Sequence, residues 1–224
     1  MGKRGVKPRQ QVSTKWSPQL AYAVGLIATD GYLSKDKRHI DFTSEDIELI
    51  ELFTKCLGLN HLKIGFKVGS TGKKCPRVQF GDVNFYQWLE GIGIGNKKSL
   101  TIGRVKVPKN YFFDFLRGCF DGDGTIYAYW DPRWRSSYMF YIAFASGSLT
   151  FLVWLQETIY QHAGIEGKIK RSRQWYQLAF AKKASRRLFQ KMFHSKEIPY
   201  LKRKFLKAQK IFDIDAAHNL ELVK

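Results

Sequence analysis

The sequence has little of what holds disulfide-rich domains and zinc proteins together. Its three cysteines, Cys56, Cys75 and Cys119, are an odd number with no CxxC spacing, which argues against a disulfide framework and fits a reducing compartment. Its five histidines (His39, His61, His162, His194 and His218) form no HxxxH or HxH pair, so neither a zinc site nor a histidine-metal nuclease is supported. Acidic residues are scarce: 19 Asp+Glu stand against 38 Lys+Arg, a formal net charge of +19. A surplus of that size opposes compaction by self-repulsion unless a polyanion is the natural partner, and it points to nucleic acid. Long apolar runs are missing as well. The longest, Leu20 to Ala28, is far shorter than the ~20 residues of a membrane helix. The opening MGKRGV lacks the Ser or Thr that a myristoylation signal places at position 6, and no apolar signal region follows it. The expectation is a soluble intracellular protein with no membrane partner, in the cytoplasm or an organelle matrix with access to DNA.

What is present is a pattern written twice. Apolar residues make up 44% of 224 residues and are spread along the chain, enough for one large core or two small fused ones. Residues 1–16 are basic with no apolar period and read as a mobile arm. A helix opens at Ser17-Pro18, a capping residue followed by proline at the first helical position. Leu20, Val24 and Ile27 continue its spacing until Thr29-Asp30-Gly31. Strand-like YLSK and RHIDFTS follow, then the helix DIELIELFTKCLG, which Asp46 can cap and Gly58 can stop. Strand-like HLKIGFKVG and RVQFGDV flank a turn, and a helix around NFYQWLEGIGI closes the set. The order then repeats. Pro108 opens a helix that ends in FDGDG; TIYAYW and SSYMFYIAFASGS are strand-like, LTFLVWLQETIYQHAG is helical, EGKIKRSR and WYQLAFA are strand-like, and KKASRRLFQKMF is helical. YLKRKFLKAQKIF is a basic helical tail. The predicted class is α+β: two pseudo-symmetric αββαββα halves, 17–106 and 107–211, each with a four-stranded antiparallel sheet, and a C-terminal tail at 212–224.

Aligning the two helix ends, AVGLIATDG at 23–31 and LRGCFDGDG at 116–124, matches Gly25 with Gly118, Asp30 with Asp123 and Gly31 with Gly124. Asp121 falls on Ala28, so one half dispenses with that acid while both keep the acid at 30 and 123. A carboxylate near a helix C-terminus is disfavoured by up to ~1 kcal/mol, and repeating the placement suggests a cation nearby. Gly25 and Gly118 suggest helices that cross closely, since glycine inside a helix costs about 1 kcal/mol relative to alanine. Such a crossing brings Asp30 near Asp123. Oxygen ligands without cysteine or clustered histidine select Mg²⁺ or a similar hard ion. GSTGKK has the wrong glycine spacing for a phosphate loop and puts Lys74 where Ser or Thr should stand. DGDG at 121–124 lacks the closing Glu of a calcium loop, with Pro132 in its place.

AVGLIATDG and LRGCFDGDG resemble two copies of the LAGLIDADG motif, and the resemblance extends over residues 17 to about 211. It departs from the motif at Ala28 and Thr29 in the first copy and at Arg117, Cys119 and Phe120 in the second. It implies a single-chain homing endonuclease, intron- or intein-encoded and acting as a monomeric pseudo-dimer, that hydrolyses both strands of a long asymmetric duplex. The cofactor it implies is Mg²⁺ or Mn²⁺, with Ca²⁺ able to occupy the site without supporting cleavage. Asp30 and Asp123 take the metal-binding role, with the carbonyls of Thr29 and Gly122 as further ligands and Gly25 and Gly118 at the helix interface. Lys98 in GNKKSL and Lys204 in YLKRKFL match the family's basic residues near the scissile phosphates, where a cation would stabilise charge or polarise a water. Ser44 and Ser146 are candidates for holding water.

Strand ribbons can enter the major groove of double-stranded DNA, and alternate residues share one face. The candidates are Tyr32, Ser34, Lys35, Arg38, Lys63, Lys67, Arg77 and Gln79 in the first half. In the second they are Tyr127, Tyr129, Arg133, Arg135, Tyr138, Lys168, Lys170, Arg173, Trp175 and Gln177. The alternative is a non-cleaving nucleic-acid-binding protein on the same fold, such as an intron maturase or a DNA-binding regulator.

Overall fold

The computed structural model describes residues 10–68, 72–134 and 137–221, with the side chains of 219–221 excepted. The first half runs α1 (Pro18–Thr29), β1 (Gly31–Leu33), β2 (His39–Thr43), α2 (Ile47–Leu57), β3 (Gly65–Val68), β4 (Lys74–Gly81) and α3 (Val83–Ile92). After the short helix α4 (Lys98–Thr101), the second repeats it as α5 (Phe112–Asp121), β5 (Gly124–Trp130), β6 (Tyr138–Ser146), α6 (Leu149–Ala163), β7 (Lys168–Arg171), β8 (Tyr176–Ala181) and α7 (Lys182–Met192). A last helix, α8 (Lys202–Glu221), ends the described chain. Both sheets are four-stranded and antiparallel, ordered β1-β2-β4-β3 and β5-β6-β8-β7. The expected α+β repeat is present, with α4 and α8 added to it. Among the described residues, no helix is long and apolar enough to cross a membrane.

Local chemistry sets the element ends. Ser17 caps α1 by accepting from the Leu20 amide at 3.1 Å, with Pro18 at the first helical position. Gly58 stops α2 at φ +71°, a left-handed conformation that glycine takes without cost. Asp46 precedes α2 but makes no side-chain cap; its carboxylate pairs with Arg203 at the start of α8. Pro108 opens only a 3₁₀ turn at Lys109–Tyr111, and α5 begins at Phe112.

One face of each sheet packs on helices. In β2 and β4 the inward residues are Ile40, Phe42, Val78 and Phe80; in β6 and β8 they are Phe140, Ile142, Phe144, Leu178 and Phe180. The rings of Phe42 and Phe53 stack at 4.3 Å, tying β2 to α2. At the centre, α1 and α5 are buried along nearly their whole lengths and cross at Gly25 and Gly118. A Cβ on Gly25 would overlap the Phe115 carbonyl oxygen and lie 2.9 Å from the Cys119 amide nitrogen. A Cβ on Gly118 would overlap the Tyr22 carbonyl oxygen and lie 3.0 Å from the Gly25 Cα. These obstacles are backbone, which cannot step aside. Gly25→Ala or Gly118→Ala is therefore expected to destabilise the fold by about 3 kcal/mol, the upper range for overpacking. A denaturant midpoint within a few tenths of a molar of the parent's would contradict so close a crossing.

Two boundaries differ from expectation. Val12 is 1% exposed, and the amides of Gln11 and Val12 donate to Asp82 Oδ2 at 2.6 and 3.0 Å. Trp16 packs on Trp88 with ring centroids 5.0 Å apart. Residues 10–16 thus belong to the packed first half, because Asp82 supplies partners that the arm's own sequence does not announce; residues 1–9 lie outside the described residues. At the other end α8 crosses the expected limit at 211 without a break. Asp215, in the stretch expected to be a tail, is held by Arg186 at 2.8 Å and Lys182 at 3.8 Å.

Two buried polar groups fix the centre, Asp121 by tying the halves together and Arg117 by bracing the second half. Tyr22 in α1 donates its hydroxyl to Asp121 Oδ2 at 2.8 Å, and the Leu201 amide donates to the same oxygen at 2.8 Å. The acid without a counterpart at Ala28 is thus a structural link. Desolvation pushes its carboxyl up to about 6, against the Leu201 and Tyr22 hydrogen bonds. Arg117, fully buried, donates to Asp114, Met192 O and Pro199 O at 2.6–2.7 Å. Asp121→Ala is expected to cost about 2–3 kcal/mol by stranding two buried donors. Asp121→Asn keeps an acceptor oxygen and should cost less than half of that; equal losses for both, measured by denaturant unfolding, would contradict the link.

Candidate active site at the helix crossing

Because α1 and α5 cross at their glycines, their C-terminal ends emerge together. Asp30 follows α1 as its C-cap residue and its amide donates to Leu26 O at 2.9 Å. Asp123 follows the last turn of α5 by two residues. The two ends touch: a Cβ on Gly122 would overlap Thr29 Oγ1 and lie 2.8 Å from Asp30 Oδ2. Glycine at 122 thus lets the second motif lie directly against the first aspartate. Asp30 is partly buried, while Asp123 opens to solvent. Among the described residues, neither carboxylate accepts a protein hydrogen bond or forms a salt bridge.

The electrostatics match that geometry. Desolvation, then the charge of Asp123, pushes the Asp30 carboxyl up to about 6, with Lys98 and Lys204 opposing. Partial desolvation also raises Asp123, against the same two lysines. Two neighbouring carboxylates with no donors, one closed on the protein side and one open to water, are an acceptor pair without a partner. Among the described residues no cluster of three or more acidic, histidine or cysteine side chains surrounds them. That fits a hard cation such as Mg²⁺, which binds through one or two carboxylates and keeps its other positions for water and phosphate.

The two nominated lysines lie at this site, in a different posture from the expected one. Lys98 and Lys204 are 6% and 8% exposed. Lys98 Nζ donates to Ala28 O at 3.1 Å and Thr29 O at 2.5 Å. Lys204 Nζ donates to the carbonyls of Phe120, Asp121, Gly122 and Gly124 at 2.7–2.9 Å. Neither α1 nor α5 has a basic residue in its own last turn, so each lysine supplies from a distance the cation that a helix C-terminus favours. Desolvation draws both ammonium groups down to about 8, with Asp30 and Asp123 among the charges opposing it. The Thr29 and Gly122 carbonyls, nominated as metal ligands, thus each accept from a lysine. Ser44 and Ser146 both receive an amide two residues on, from Asp46 at 3.1 Å and Ser148 at 3.0 Å, so each hydroxyl shapes a helix entry.

Strand register sorts the nominated DNA contacts. The outer faces, away from the helices, carry Tyr32, Asp41 and Gln79 in one row of the first sheet, with Thr43 opposite Arg77. Tyr32, Lys63, Lys67 and Gln79 are exposed; Lys35 and Arg38 are exposed and Ser34 partly buried in the β1–β2 turn. Arg77 pairs with Asp41 on that face. In the second sheet Tyr127 opposes Tyr141, Lys168 opposes Ala179 and Lys170 opposes Gln177. Tyr129, Arg173 and Trp175 are exposed. Tyr138 corrects an expectation: it is 5% exposed and packs against Phe140 and Trp130. It shares the parity of Phe140 and Ile142, so it faces the core. Arg133 lies beyond β5, its guanidinium bound to Asp131, and Arg135 lies outside the described residues. Tyr141 and Asp41 were missed; both are legible from the period-two rule once the buried face is fixed.

Neither a protein-family model nor a curated relative matches the sequence. Solved structures do. The homing endonuclease I-WcaI bound to its DNA recognition sequence superposes with a TM-score of 0.60 at 18% identity, covering 84% of this chain and 88% of that one. I-DmoI in complex with DNA and Ca gives 0.56 at 13%, covering 86% and 97%. Full-length DUF199/WhiA from Thermatoga maritima gives 0.56 at 14%, covering 91% of this chain; this chain spans 63% of that protein's length. The crossed motif helices and twin sheets described above are the LAGLIDADG fold.

Proposed function

We propose that this LAGLIDADG-fold chain is a metal-dependent, site-specific DNA endonuclease that cuts both strands of an asymmetric duplex. The observation that carries the reading is the convergence of Asp30 and Asp123, partnerless and adjacent, at the ends of the two crossing helices. Mg²⁺ or Mn²⁺ would be held by these two carboxylates, with the Thr29 and Gly122 carbonyls able to contribute only through the lone pairs their lysines leave free. Such ions stabilise the attacking and leaving oxygens of an in-line phosphodiester displacement. The protein's own part is to fix the carboxylates, exclude alternative partners and offset their charge. Lys98 and Lys204 act as positioning residues: each clamps the carbonyls of one helix end and keeps its ammonium near the acids. The outer faces of the two sheets hold duplex DNA, the two halves serving as unlike half-site readers in one monomer.

Support also comes from the charge of +19 and from the DNA-bound state of I-WcaI. A non-cleaving DNA- or RNA-binding role is the second reading. It is favoured by one observation, that Lys204 Nζ meets four backbone carbonyls and Lys98 Nζ commits two of its three donors to carbonyls, rather than to a phosphate. A cleavage selection on a random-sequence duplex library separates the two. The proposal expects a single long asymmetric site to be cut with Mg²⁺ or Mn²⁺, bound uncut with Ca²⁺, and left intact without a divalent ion. Tight binding with no product under any ion would establish the second reading.

A further inference from the structure

The internal repeat allows the two DNA-facing surfaces to be compared position by position. Gly31 pairs with Phe42 and Gly124 with Phe144, each glycine directly following its aspartate. This makes Asp41 equivalent to Ala143, Thr43 to Ala145 and His39 to Tyr141 on the second strands. On the fourth, the pairings Asp41–Gln79 and Ala143–Ala179 make Gln79 equivalent to Ala179, and Gly81 to Ala181. The first half therefore presents an acid, an amide and a hydroxyl where the second presents alanines, and Arg77 where the second presents Gln177. Ala143 is fully covered on the outer face, while Ala145 and Ala179 are partly open and Ala181 is exposed. Beside them stands a fence of near-parallel rings: Tyr127 and Tyr141 lie 5.3 Å apart at 18°, and Tyr129 and Tyr141 6.2 Å apart at 12°. The tyrosines, Ala179 and Ala181 line a hollow of about 470 Å³ together with Gln177 and Glu166, with Lys168 and Lys170 along one side.

We infer that the two halves read DNA by different chemistry, the second selecting thymines through their 5-methyl groups against Ala145, Ala179 and the tyrosine fence. The inference rests on the DNA-binding reading above. In the major groove only thymine presents a methyl group, and alanine-type surface is its natural contact. A guanine or adenine edge placed over Ala145 and Ala179 would give up water without gaining a donor or acceptor from the alanines, Gln177 being the one amide of that row. The first half has a more polar character: Gln79 and the Arg77–Asp41 pair offer hydrogen-bonding groups to base edges beside a single exposed ring, Tyr32. Lys168 and Lys170, at the rim of the hollow, suit phosphates and hold the strand over it.

The test uses the duplex recovered from the random library, bound in Ca²⁺, with deoxyuridine replacing thymidine in one half-site at a time. Each contacted thymine in the second half-site should weaken binding roughly fourfold when its methyl is removed, the worth of one buried methyl; the same change in the first half-site should leave affinity unaltered. Ala179→Gln, which copies residue 79, should remove the uridine effect at its position and change the base recovered there on reselection. Equal responses in the two half-sites, or a selected second half-site without thymines, would overturn the inference while leaving DNA binding intact. Failure to bind any duplex would instead overturn the DNA-binding reading, and this inference with it.

Discussion

Asp30→Asn and Asp123→Asn are each expected to lower the rate of double-strand cleavage by about a thousandfold or more, the scale of the several kcal/mol that metal ions contribute at a phosphoryl centre. Duplex affinity should hold or rise, because each change removes a negative charge beside the phosphates. Asp30→Asn also has a stability signature that separates a functional acid from a structural one. The Asp30 carboxyl is raised from 3.8 to about 6, so the folded chain holds that proton more tightly than the unfolded chain. The metal-free fold therefore loses stability as pH climbs from about 4 to about 6, by an amount on the order of 2 kcal/mol. Asn abolishes that loss. The variant should melt higher than the parent at pH 7 without metal, and added Mg²⁺ should raise the parent more than the variant. A variant that melts lower at pH 7 would mean that Asp30 serves the fold, and full cutting by either variant would remove both acids from the mechanism.

Duplex binding is expected to collapse with salt. With about six to ten phosphates neutralised, affinity should fall by about 10³–10⁵ between roughly 50 and 200 mM monovalent salt. Exposed Lys63 and Lys67 in the first half and Lys168, Lys170 and Arg173 in the second supply the charge on or beside the outer faces. Lys98 and Lys204 belong to a different class, since their Nζ atoms are bound by carbonyls. Removing Lys67 or Lys168 should flatten the log–log slope by about one unit each. Lys98→Met should leave the slope in place while weakening the α1 end, seen as lower thermal stability. A slope near zero for the parent would place the DNA elsewhere than on the basic faces.

The repeat could be read because both levels of pattern agreed: helical spacing ending in Asp-Gly twice, followed twice by the same order of strands. The pairing of Asp30 with Asp123 came from the same alignment, since helices with glycine at matching interior positions approach closely. What escaped the sequence depended on partners far along the chain. Asp121 read as dispensable because its binding partners, Tyr22 and the Leu201 amide, are 99 and 80 residues away. Asp82 reaches Gln11 and Val12 across 71 and 70 residues, so the basic segment gave no sign of its anchor. Tyr138 was assigned to the wrong face because β6 is apolar on both sides: Tyr, Phe, Ile and Phe alternate with Met, Tyr, Ala and Ala. With no polar face to set the parity, only the register against β8 decides it. The lysines were found by position, but their burial was not, because a helix end 69 or more residues away supplies the acceptors.

The central claim is that two carboxylates from different halves share divalent cations at the helix crossing. A crystal of the chain with its selected duplex and Mn²⁺, examined by anomalous scattering, tests it most directly. The account predicts anomalous peaks at ligand distance from Asp30 and Asp123, beside the phosphates between the two half-sites. A duplex seated on the sheets with manganese bound elsewhere, or with either aspartate turned away from every peak, would contradict it.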